Sequence, residues 1–439
     1  MQTEEVKQWR HSSYKAIIPF IVFVIFYFGF SILTRDFSKV PMTVAFIISS
    51  ATALILNHKE KLNRKIEIFA LGMGKKDIMI MCLIFILAGA FTSIANAVGG
   101  VDSAVIIAQN IIPPKYIISG IFLISALISL AVGTSCGTIA AIVPIAVSLS
   151  HNISINPAFL IGGVVGGAMF GDNLSLISDT TIAATRTQNV PMKDEVIANA
   201  KIVLIPAILC VLFYLSPYFE NELTSYTTQI ATIEFSSYVK VFPYILLLVL
   251  GIAGINVMFL LLIGIILNIG IGLYYSIFNI YDAFSYIGDG TVSMANTLIV
   301  AILAGGLLQM IRYNGGINFI IYNCCAWVKS KKTCELGICL LTAIINLFTA
   351  NNTVAIITSG PIAKEMSLKH GVKPVRTASL IDTTSCIIQG MIPYGAQILI
   401  ATSLASAVAV SSFDIMKALF YPLFIAFGLI ISLIFNKDN

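Results

Sequence analysis

The sequence predicts an all-α polytopic membrane protein made of two inverted-topology repeats, each with five transmembrane helices and one re-entrant hairpin. Three observations carry that prediction. Of 439 residues, 58% are apolar and only 11% are charged, under half the roughly 25% charge of a soluble domain, and mean hydropathy is +0.93. Four of the apolar stretches are interrupted by Gly, Asn, Asp or Pro. The chain also matches itself at an offset near 217 residues. This composition excludes a cytosolic enzyme, a disordered tail and a nucleic-acid binder. The lipid bilayer is the first partner it implies.

Continuous apolar stretches lie at about 15–34, 40–57, 77–97, 198–216, 241–253, 256–274, 294–311 and 415–435. The first is too long for a signal-peptide core and no small-x-small cleavage site follows it, so it reads as a span. The interrupted stretches are 116–150, 157–185, 333–366 and 375–410. A broken helix survives in hydrocarbon only where its freed backbone groups are covered by protein or face a wet cavity.

Loop charge sets orientation. Placing 1–13, 58–76, 185–197, 312–332, 364–376 and 436–439 inside collects 19 of the 26 basic residues. Both termini are then cytoplasmic, the inner membrane is the expected location, and the net charge of +5 needs no anionic partner. Segments 312–332 and 364–376 share a side, so 333–366 enters and returns. Each leg, at about 15 residues, is short for a hydrocarbon core of ~30 Å. That makes it a re-entrant hairpin with its tip at Thr349–Thr353. Its counterpart is 116–150, with its tip at Gly133–Thr138.

The repeat rests on three ordered matches. ILAGAFTSIANAVGG at 86–100 aligns with ILAGGLLQMIRYNGG at 302–316, Ala126–Pro144 aligns with Ala343–Pro361, and Lys201-x4-Pro206 recurs as Lys417-x4-Pro422. The basic loop 58–76 maps onto 275–293, which has no base. Opposite charge bias on one hydropathic unit marks inverted topology, with binding near mid-membrane at the broken elements. The first repeat is then 1–217 and the second 218–439.

The residues that could carry chemistry cluster there. In 166–187, GGAMFGDNLSLISDTTIAATRT, the acids Asp172 and Asp179 lie within an apolar span, where an isolated carboxylate is costly unless paired or wetted. Seven apart, they would share one face of a continuous helix, about 10 Å from each other. Asn173, Ser175, Ser178 and Thr180 add hard oxygen ligands. The pair reads as a site for Na⁺, and since burial favours the neutral acid, H⁺ can compete there. The bland alternative is a helix cap or a structural pair with Arg186. The tips contribute Thr134, Ser135 and Thr138 in one half and Asn351, Asn352 and Thr353 in the other, or else these simply pack between helices. The second half adds Asp382, followed by Tyr394 and Gln397 around the Pro393 break. Eight Cys without a C-x-x-C pair and four His in loops leave no zinc or haem motif. No cofactor is expected.

At GDNLSLISDTT (171–181), GTSCGT (133–138) and IDTTSC…PYGAQ (381–397) the chain resembles the NhaC-type sodium/proton antiporters of the ion transporter superfamily. The resemblance implies an inner-membrane secondary transporter with inverted repeats and re-entrant hairpins, often a homodimer. After the Gly-Asp, Asn173-Leu174-Ser175-Leu176 stands where better-known antiporters have a Lys-Met-Ser-Pro-type stretch. Two functions are therefore weighed. One is Na⁺/H⁺ exchange on the aspartates; the other is Na⁺-coupled transport of a small organic anion or amino acid. A channel suits two broken helices less well, and no nucleophile–base constellation suggests an enzyme.

Overall fold

A computed structural model describes residues 13–34, 40–57, 60–100, 102–103, 106–107, 113–152, 155–176, 178–216, 234–252, 255–326 and 328–435. The terminal segments assigned above to the cytoplasm lie largely outside these. The described residues form α-helices and short 3-10 turns, with no strand among them. In chain order the helices are α1 Ile18–Thr34, α2 Met42–Ile55, α3 Leu62–Met73, α4 Lys76–Val98, α5 Ile117–Val132, α6 Ser135–Asn152, α7 Pro157–Leu174, α8 Asp179–Gln188, α9 Met192–Tyr214 and α10 Phe235–Ile252. The remainder are α11 Val257–Tyr274, α12 Ile280–Ser293, α13 Ala295–Tyr313, α14 Gly316–Ala326, α15 Lys331–Thr349, α16 Asn352–His370, α17 Pro374–Gly390, α18 Ala396–Leu404, α19 Ser412–Ala418 and α20 Tyr421–Phe435.

Among the described residues, six helical stretches are long and apolar enough to cross a bilayer, and a seventh counts if the pair α19 and α20, bent by 51°, is one span. The periphery is greasy, with Ile25, Leu127, Ile205, Leu212, Ile266 and Phe427 exposed, whereas Asp172, Asn199, Asp382, Gln389 and Gln397 are buried. Apolar residues outside and polar residues inside is the arrangement a lipid solvent selects. The chain is a multi-pass membrane protein.

Both stretches fold as helix–turn–helix pairs with turns at the expected tips, and the two turns use the same local chemistry. α5 ends at Gly133, φ +72°, and α15 at Ala350, φ +51°; a left-handed residue closes a helix by turning the chain back. The next residue caps the following helix. Thr134 Oγ1 is 3.5 Å from the Gly137 amide, and Asn351 Oδ1 accepts from the Val354 amide at 3.0 Å. The legs of the second hairpin are longer than hydropathy indicated, 19 residues each. Its basic ends, Lys331–Lys332 and Lys369–His370, are helical although not apolar.

The two interrupted stretches are broken helices. α7 stops at Leu174 and α8 starts at Asp179; α17 stops at Gly390 and α18 starts at Ala396. Segments 58–76, 275–293 and 312–332, read above as loops, instead contain α3, α12 and α14. Short amphipathic helices carry too much charge or too few residues for a hydropathy window to register. Lys65 on α3 is buried, and its Nζ donates to the carbonyls of Leu54 and Leu56 at 2.6 and 3.0 Å, satisfying the last turn of α2.

Close packing depends on glycine. A Cβ on Gly167 or Gly171 of α7 would strike the backbone of α5 at Phe122 or Ala126, so these helices meet backbone to backbone. Gly89 of α4 meets Gly290 of α12, while Gly72 of α3 meets Gly305 and Gly306 of α13.

Helix starts recur with the 217-residue spacing: 135 and 352, 157 and 374, 179 and 396. So does one hydrogen bond. Ser129 Oγ donates to the Ala168 carbonyl at 2.6 Å, and Asn346 Nδ2 donates to the Ser385 carbonyl at 2.6 Å.

Candidate ion-binding site

Both hairpin tips, the first helix break and the start of α18 open onto one cavity of about 500 Å³. α6, α8, α16 and α18 all begin at its wall, so their first amide N–H groups, unsatisfied within their own helices, surround the space.

Asp172 is the best-held group there. It is the third residue from the end of α7 and buried, yet it lines the cavity. Ser135 Oγ, from the first hairpin tip, donates to Asp172 Oδ2 at 2.8 Å. Ser178 Oγ, from the break, donates to Asp172 Oδ1 at 2.7 Å. Ser178 also caps α8 by accepting from the Thr180 amide, and its hydroxyl is 3.0 Å from Thr180 Oγ1. From the other half, Gln397 Nε2 donates to Ser135 Oγ at 3.0 Å, leaving Gln397 Oε1 without a donor. One carboxylate thus ties together a hairpin tip, a helix break and, through Ser135, the second half of the chain.

Asp179 also lines the cavity, but the helix stops between it and Asp172. The continuous helical face inferred from their spacing does not exist. Asp179 is exposed to the cavity in the first turn of α8, where the helix dipole favours a negative charge. Thr134, Asn351, Asn352 and Thr353 line the same space, as do Lys76 and Arg186.

Five residues singled out from the sequence are placed elsewhere. Asn173 points away and donates to Tyr421 Oη at 3.2 Å. Ser175 Oγ donates to the Leu130 carbonyl at 2.7 Å, and Thr138 Oγ1 to the Thr134 carbonyl at 3.0 Å. Tyr394 donates to the Leu347 carbonyl at 2.8 Å and sits edge-on to Phe23. All four are satisfied by the fold: Asn173 by a phenol, and the three hydroxyls by carbonyls at the two hairpin turns, where the last carbonyls of α5 and α15 have no partner within their own helices. Asp382 is wholly buried behind the cavity, bonded to Asn199. Asn199 and Glu195, both on α9 and both wholly buried, escaped the sequence reading, since Arg186, Lys193, Asp194 and Glu195 make 185–197 look like a loop. The available signal was the four-residue spacing of Glu195 and Asn199, which puts them on one face of the helix that follows.

A bundle of apolar helices around a buried carboxylate, with two broken helices and two hairpin tips meeting at a cavity, is the architecture of an ion-coupled membrane transporter. The sequence profile of the Na⁺/H⁺ antiporter family matches residues 8–216 and 213–436, and the chain belongs to that family. It is 23% identical to the Na⁺/H⁺ antiporter NhaC of Bacillus subtilis, over 87% of this chain and 89% of that protein. It is 22% identical to the malate-2H⁺/Na⁺-lactate antiporter of the same organism, over 95% and 93%. The crystal structure of the Alcanivorax borkumensis YdaH transporter aligns with 86% of this chain and 88% of its own at 15% identity, with a TM-score of 0.42.

Proposed function

We propose that the protein exchanges Na⁺ for H⁺ across the cytoplasmic membrane, with Asp172 as the carboxylate for which the two cations compete. The observation that carries this reading is the double serine clamp on a buried, cavity-facing carboxylate. Ionised, Asp172 offers a charge and, with the oxygens of Ser135, Ser178 and Gln397, a hard-oxygen set of the kind Na⁺ takes. Protonated, it becomes neutral and leaves no charge for Na⁺ to pair with. A group that accepts either ion, but not both together, makes exchange obligatory. The hairpin-tip residues Thr134, Asn351, Asn352 and Thr353 complete the wall, and Asp179 attracts cations at the cavity's edge.

The cavity opens toward the cytoplasm in this reading, because Lys76 and Arg186 on its wall come from the basic segments placed inside. Recurrence of helix starts at 217 residues, and a family match that divides near the same point, support two inverted repeats and alternating access. In proteoliposomes, an imposed Na⁺ gradient alone should shift internal pH, and Asp172→Asn should abolish the shift. A variant that still moved protons would remove Asp172 from the mechanism.

A second reading has its own observation. Lys76, Arg186 and four helix N-termini around the cavity favour an anionic guest. A small organic anion carried with Na⁺ fits them. That reading requires Na⁺ flux to depend on added solute and to leave pH unchanged without it.

A further inference from the structure

Glu195, Asn199 and Asp382 form a second polar cluster that the exchange chemistry above does not use. All three are fully buried, and none lines the cavity. Asn199 Nδ2 lies 2.6 Å from Glu195 Oε1 and 2.7 Å from Asp382 Oδ2, and 3.2 Å from the Asn173 carbonyl. One amide has two hydrogens for these three acceptors. Glu195 Oε2 and Asp382 Oδ1, both out of reach of solvent, have no donor.

No cation answers these two acids among the described residues. The groups facing Asp382 are Glu195 on α9, Thr180 on α8, Asp172 on α7, Cys386 on its own helix and Tyr421 on α20. Arg376, at the start of α17, is taken by Glu335 of α15 at 3.1 Å. Two uncompensated negative charges cannot be held at this depth, and a single hydrogen between the carboxyls supplies the missing donor. The fold does not require acids here: at the 217-residue offset the equivalent positions are Val165 and Ser412.

We propose that Glu195 and Asp382, bridged by Asn199, hold one proton between them in an occluded site distinct from the cavity-facing Asp172. The link to the cavity is the Asn173 carbonyl, which accepts from Asn199 and belongs to the residue after Asp172. A cation binding to ionised Asp172 makes the surroundings of the pair more positive and favours release of the shared proton; by reciprocity, release tightens cation binding there.

The transport test rests on the Na⁺/H⁺ reading, whereas a spectroscopic test does not. In infrared spectra of the purified protein, Asp172→Asn should retain a carbonyl stretch of a protonated carboxyl that shifts in D₂O, and adding Glu195→Gln should remove it. Absence of the band in Asp172→Asn, or its survival in the double variant, overturns the proposal. In proteoliposomes, Glu195→Gln should lower Na⁺-driven proton movement by about tenfold, while exchange of radiolabelled Na⁺ for Na⁺ stays within about threefold of the parent. Equal loss of both means that the pair binds Na⁺ or only supports the fold, and the proposal falls. If the parent protein moves no protons under a Na⁺ gradient, the exchange reading fails, while the infrared band still decides the pair.

Discussion

Asp172 gains its standing from its neighbours. Two hydroxyl donors orient its oxygens, so removing one weakens the hold on a cation without deleting the charge. Ser135→Ala should raise the Na⁺ concentration giving half-maximal pH change by about tenfold, in keeping with 1–3 kcal/mol for losing a donor at a buried acceptor. An unchanged midpoint would show that the tip does not organise the site. Another buried pair lies outside the cavity lining. Arg376 and Glu335, 11% and 6% exposed, pair at 3.1 Å, and Arg376 Nη1 also donates to Ser432 Oγ at 2.7 Å. Glu335→Gln leaves a buried guanidinium without its counter-ion and should cost about 3 kcal/mol, visible as a lower melting temperature in detergent with Na⁺ binding by the folded fraction preserved.

Among the elements, the turns at the two tips and the interruptions of the two helices were legible before any coordinates. The alignment of Ala126–Pro144 with Ala343–Pro361 set the two tips opposite each other, and the basic segments on either side of 333–366 required the chain to turn back there. The two turns differ in one respect that can be tested. Where the first uses Gly133, the second places Ala350 at φ +51°, a conformation that costs an L-residue about 1–2 kcal/mol. Ala350→Gly should therefore raise thermal stability modestly, with part of the gain offset by the freer unfolded chain; a lower melting temperature would show that the Ala350 methyl is needed for packing. The opposite change on α7 should be harmful. Gly171→Ala drives a methyl into the α5 backbone at Ala126, at a cost of roughly 1–3 kcal/mol, read as reduced yield of monodisperse protein.

Across the whole molecule, the cavity has a counterpart. Ile80, Ile182 and Arg186 line it, and the positions 217 residues further on, Thr297, Leu399 and Ser403, line a second cavity of about 460 Å³. Alternating access by two inverted repeats requires such an exchange of open faces. A cysteine at Thr187 should react with an impermeant maleimide from the cytoplasmic side, and one at Ser403 from the outside. Labelling of both from one side would remove the inverted arrangement. The sequence alone settled that this chain lives in lipid and that its helices break at two matched places, because hydropathy and backbone-breaking residues are local properties. It could not show that the break separates Asp172 from Asp179, that Asn173 and Tyr394 turn away, or that Glu195 meets Asp382 across 187 positions of chain. Those outcomes depend on which helices touch, and only the packing of α7, α9 and α17 decides where a buried carboxyl finds its donor.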